Sequence, residues 1–169
     1  MTTPMMEDAF AHDTWATLRV IDSCLELSPE QLETSLPGTY GSILDTMRHT
    51  VGADANYLSV CTGEDHWLPD EDRMSLSELR AAAERFGPLW SSFLASDPDP
   101  DTMLVRHRDD GSETTAPLGI RLAQVVHHGT DHRSQICTAL TSLGIEPPFI
   151  DVWAFGETDG RVIETPPTG

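Results

Sequence analysis

"VVHHGTDHRSQ", residues 125–135, gathers three of the chain's seven histidines into one short run. As an α-helix it stacks His128 and His132 on one face, while His127 points about 100° away from His128. The first two can share a ligand, and His127 cannot easily join them. Apolar residues at Leu118, Leu122, Val125, Val126, Gly129, Ile136, Leu140 and Leu143 run through the same segment at helical spacing. His128 and His132 flank this stripe, whereas His127 and Asp131 fall almost opposite it. The pattern predicts one long helix from near Pro117 to Leu143, with Gly144 beyond it and Pro147-Pro148 blocking continuation.

Three further helices are predicted outward from this one. The first spans about Met5 to Leu27, with an apolar face of Ala11, Trp15, Leu18, Ile21 and Leu25. Ser28 and Pro29 open a short turn, and "LPGTYGS" (36–42) breaks the chain. The second helix runs from about Ile43 to Cys61 and stops at Gly63. "SLSE" (75–78) is a capping-box pattern that opens a third helix to about Ala95, with a kink or break expected at Gly87-Pro88. Between it and the last long helix, Asp110-Gly111 sits between short alternating segments, a β-hairpin signal over about 103–115. "FIDVWAFGE" suits a further turn or short helix, and "TPPTG" should fray. The expected fold is all-α: an antiparallel four-helix bundle with a short β-hairpin before the last long helix, as one domain over 1–169.

Composition narrows the function. With 28 acidic residues against ten basic ones, the formal net charge is −18, and all ten basic residues are Arg. Such a chain repels phosphate backbones, so nucleic-acid binding is not expected. No apolar run approaches the roughly 20 residues of a membrane span. "MTTPMMEDAF" lacks the basic and apolar regions of a secretion signal. Three scattered cysteines, Cys24, Cys61 and Cys137, do not make a disulfide framework. A cytoplasmic protein acting on a small molecule is expected.

A partner for the histidine pair lies on the second helix. Its main apolar face carries Ile43, Met47, Val51 and Leu58, and a second stripe runs Ser42, Thr46, His49, Ala53, Asn56, Val60. Those small or polar residues could line a pocket or a tight helix seam. Spacing leaves two readings of His49: a metal ligand, or a polar residue on a solvated face. With His128 and His132 it would complete a three-imidazole set suited to Zn, Ni or Fe(II), with positions open for water or substrate.

His49 followed by H-x-x-x-H-R-x-Q at 128–135 resembles the DinB-like superfamily. "AHDTWA" (11–16), "GSILDTMRHTVGAD" (41–54) and the Gly144 stop before Pro-Pro match in the same order. The resemblance implies a four-helix bundle, a homodimer, and a divalent metal held by His49, His128 and His132. It also implies transfer of a low-molecular-weight thiol such as bacillithiol, mycothiol or glutathione to a small electrophile. Two departures stand out. Asp54-Ala55-Asn56-Tyr57 replaces the Glu and aromatics common in the family, which changes the pocket wall. Mycothiol-dependent isomerases carry Glu where His128 stands and an extra C-terminal domain, so that role is disfavoured.

His12, Trp15, Asp54, Tyr57, Arg133 and Gln135 are the candidates for lining the pocket or supporting the ligands. Asp54 falls on the apolar side of its helix and needs a partner, with Arg48 and Arg133 as candidates. His66 and His107 read as surface residues. Coordination would make a thiolate available at neutral pH for attack on an electrophile. Metal-assisted hydrolysis and a non-catalytic metal- or ligand-binding stress protein are the alternatives. A ferritin-like di-iron site is excluded, because it needs Glu-x-x-His and Gly129 stands three before His132.

Overall fold

Serine side chains start three of the helices. Ser28 caps α2 (Pro29–Leu32), Ser42 caps α3 (Ile43–Thr62) and Ser75 caps α4 (Leu76–Ala95), accepting backbone N–H groups of Gln31, Asp45 and Glu78. Gln31 and Glu78 close capping boxes by returning a bond to the serine N–H. Gly63 ends α3 in the left-handed conformation, at φ 74°. In this computed structural model residues 4–68, 70–108 and 110–165 are described, and Pro166–Gly169 of the expected fraying tail lie outside them.

The remaining elements are α1 (Pro4–Cys24), β1 (Met103–His107), β2 (Glu113–Pro117), α5 (Leu118–Ser142) and α6 (Val152–Thr158). A 3-10 turn at Glu71–Arg73 packs on α3. The two strands pair antiparallel with Val105 opposite Thr115, two residues longer than the sequence suggested. Arg121 of α5 holds this hairpin by donating to the carbonyls of Leu104 and Thr114, at 3.0 and 2.9 Å. Each long helix touches two others: α1 packs on α4 and α5, and α3 packs on the same pair. Val20, Met47, Leu58, Leu79, Phe86, Ile136 and Leu140 are buried between them in one core.

Of the kink or break expected at Gly87-Pro88, the break is absent, and α4 runs through both residues. Pro88 lies on the exposed face, where water can serve the carbonyl it leaves unpaired. On α1 the buried face is Phe10, Asp13, Ala16, Thr17, Val20, Ile21 and Cys24, whereas Ala11 and Leu25 are exposed. An apolar count picks the wrong stripe because a charged residue, Asp13, belongs to the inner one.

Asp13 is tolerated there because Arg133 of α5 meets it at 2.7 Å. Arg133 is only 1% exposed. It also donates to the Thr17 hydroxyl, the Asp13 carbonyl and the Thr130 hydroxyl. Gly129 makes room: a Cβ there would lie 2.7 Å from Asp13 Oδ1. Burial pushes the Asp13 carboxyl pKa up, and the guanidinium offsets part of that.

Asp54 pairs with neither Arg48 nor Arg133. Its Oδ1 accepts from Trp90 Nε1 at 2.8 Å. Arg48 instead donates to the Met74 carbonyl. Asp54 keeps a little surface but is densely enclosed, and burial, with the Asp13 charge adding to it, pushes its pKa up to about 7.

Arg133→Met should leave Asp13 uncompensated and lower unfolding free energy by on the order of 3–5 kcal/mol, as for other broken buried pairs. Metal bound per chain should fall as well, because the same pair orients the α5 face that carries His128 and His132. Denaturant unfolding and metal analysis on one preparation check both, and a loss below about 1 kcal/mol would contradict this role.

Candidate metal centre

The α3–α5 packing brings the three histidines together. His49 Nε2 and His128 Nε2 stand 3.0 Å apart, and one nitrogen from each of His49, His128 and His132 falls within 4.8 Å of the others. His127, one residue from His128, is exposed and points elsewhere. The continuity of α5 decides this, because neighbouring side chains on a helix diverge by about 100°.

Supporting groups fix the rings. His132 Nδ1 donates to Gln135 Oε1 at 3.1 Å, which leaves its Nε2 as the lone-pair nitrogen. Gln135 Oε1 also accepts from the Tyr40 backbone N–H at 2.9 Å, so it cannot turn away freely. The Tyr40 ring stacks on His49 with centroids 4.0 Å apart. Tyr57 meets His128 edge-on at 5.8 Å.

Burial pushes the His128 pKa down to about 4, with the neighbouring His132 and His49 adding to it. Burial and then His132 lower that of His49. Neutral imidazole is the ligating form, so these two rings are already in the required state. Tetrahedral zinc with N bonds of about 2.0–2.1 Å needs nitrogens roughly 3.3 Å apart, near the 3.0 Å between His49 and His128. A small inward shift within the 4.8 Å set would bring His132 into range. The donor set therefore fits a divalent ion.

Of the supporting candidates, Gln135 and Tyr57 reach the centre. Arg133 and Asp54 do not, being occupied by Asp13 and Trp90. His12 and Trp15 are also absent from it. His12 Nε2 bonds the Ile150 carbonyl at 2.8 Å, and both rings pack against Phe155 of α6. His12 instead lines a larger apolar cavity of about 570 Å³ with Cys137 and Phe149, which contains none of the three clustered histidines. His107 is an exposed partner of Glu113, as expected, but His66 is half-buried under the end of α3.

Sequence reasoning missed Tyr40, read only as part of a chain break, and the far wall of the cavity of about 180 Å³ beside His49 and His128, whose α3 wall is the pocket reading of the His49, Ala53, Asn56 stripe. That cavity is also lined by Gly52, Asn56, Trp67, Glu71 and Arg106. Gly52 was an available signal. Glycine inside a helix costs about 1 kcal/mol relative to Ala, and here a Cβ would collide with the Glu71 carboxylate.

A largely helical chain presenting three imidazoles to one point defines a candidate metalloprotein. Residues 1–164 match the model of the DinB family, and the chain belongs to that family. The comparison with curated proteins gave no match.

Replacing His49, His128 or His132 with Ala should each sharply reduce metal per chain, whereas His127→Ala should leave it nearly unchanged. Metal loss from His127→Ala with retention in His128→Ala would mean that α5 is interrupted.

Protons should displace the metal only in acid. His128 and His49 take up protons below the usual ~6.5 of free histidine, so proton competition at these rings starts only below that range and retention should persist through pH 6. An indicator-dye titration with a release midpoint above 6.5 would contradict that sign.

Proposed function

We propose that this chain is a metal-dependent enzyme that activates a low-molecular-weight thiol for transfer to a small electrophile. In this reading α1, α3, α4 and α5 form an antiparallel four-helix bundle whose seam between α3 and α5 carries the reaction. The supporting observation is the convergence of His49, His128 and His132, the first two at the wall of a small polar cavity. A divalent ion there, zinc, nickel or iron, supplies Lewis acidity and lowers the pKa of a coordinated thiol or water.

The chain's own residues then have distinct tasks. The three imidazoles hold the ion, Gln135 fixes the His132 ring, and Tyr40 covers one face of His49. Glu71 faces the cavity and can accept the thiol proton. The sulfur–carbon bond forms as the electrophile's leaving group departs with its electron pair.

Hydrolysis is the second reading, favoured by the same Glu71. A carboxylate beside an open metal position can accept a proton from water as readily as from a thiol.

Protein loaded separately with zinc, nickel and iron should be given an electrophile with mycothiol, bacillithiol or glutathione, and then esters and amides. The expected result is turnover that needs both metal and thiol and is abolished in His128→Ala. Ester or amide cleavage without any thiol would replace transfer by hydrolysis. Inertness of the metal-loaded chain in every arm would make it a binding protein.

A further inference from the structure

Arginine is scarce here, ten residues among 28 carboxylates. Arg80, Arg133 and Arg161 are paired with carboxylates, and Arg121 spends its guanidinium on two carbonyls. Arg106 differs. It points inward from β1, its Nε is buried without a hydrogen-bond partner, and no carboxylate of the described residues pairs with it. It lines the cavity of about 180 Å³ that His49 and His128 also line.

Asn56 completes the puzzle from α3. It is 5% exposed, and its Oδ1 is buried with no partner. Glu71, whose place over α3 is made by Gly52, faces the same space. One wall thus offers an unused cationic donor, while the others offer an unused acceptor and a carboxylate. Buried polar groups without partners are costly, so a ligand that satisfies Arg106 and Asn56 while meeting the Glu71 carboxylate is favoured.

A plain anion would satisfy Arg106 but leave the Asn56 oxygen bare and face Glu71. A plain amine would do the reverse. A molecule carrying both a carboxylate and an ammonium group satisfies all three. Trp67 and Tyr57 in the same cavity add aromatic faces on which an ammonium group can rest.

We infer that this cavity is a subsite for the zwitterionic, amino-acid-like end of the substrate, with Arg106 taking its carboxylate and Glu71 and Asn56 its ammonium group. The inference rests on the proposed function only for what the bound molecule is used for. Recognition itself needs no metal. The volume, about six waters at ~30 Å³ each, admits a group of that size and leaves the rest of a larger substrate outside.

The test uses the zinc-loaded full chain and ligand-observed saturation-transfer NMR, with L-alanine, propionate and ethylamine as zwitterion, anion and cation. Alanine should bind saturably and outcompete the other two by roughly tenfold or more, as for lost charge-assisted bonds. Arg106→Met and Glu71→Gln should each remove that preference with metal per chain unchanged. Gly52→Ala should displace the Glu71 carboxylate without altering charge, and so mimic Glu71→Gln in a chain of unchanged helicity. It also keeps the test decisive if Arg106→Met fails to fold.

Propionate binding as well as alanine, or no saturable alanine binding, would overturn the inference. So would alanine binding that survives every substitution, since that is direct coordination to zinc. A chain that takes up no metal yet still selects alanine would defeat the proposed function and leave this inference standing.

Discussion

The ion pair between Asp13 and Arg133 sets the rotation of α5, and the candidate centre depends on that rotation. Both groups are buried, and Arg133 has further bonds to α1 through Thr17 and the Asp13 carbonyl. With Arg133 held toward α1, its neighbour His132 must point about 100° away, toward α3. His128, one turn earlier, follows it and meets His49. Only a planar, multi-donor guanidinium can make four such contacts at once, which lysine could not. Gly129 is part of the same device, since any side chain there would strike the pair.

Much of this was legible in the sequence. Helix spans and caps followed from Ser28, Ser75 and Gly63, because capping is local chemistry that needs no tertiary contact, whereas Ser42 was read only as part of a break and of the polar stripe it begins. The stacking of His128 over His132, and the exclusion of His127, followed from helical period alone. His49 needed more: its stripe admitted a pocket or a solvated face, and family resemblance tipped the reading. The structure then supplied the distance.

What stayed hidden was long-range. Asp13 was not singled out, because its partner lies 120 positions away. The α1 face was therefore read from the wrong stripe, and Arg133 was assigned to the pocket or to Asp54. Asp54 instead found Trp90, a neutral donor that a search for opposite charges passes over. Tyr40 and Arg106 came from segments read as a break and as a hairpin, whose inward side chains no helical period can flag. His12 and Trp15 were drawn away by α6, which the sequence placed as a turn or short helix with no sign of where it packs.

X-ray absorption at the metal edge, on protein purified without chelator, tests the central claim most directly. The account predicts a shell of nitrogen and oxygen donors with outer-shell scattering from three imidazoles, falling to two on whatever metal His128→Ala still retains. A sulfur-dominated shell, or an imidazole count unchanged by that substitution, would contradict it.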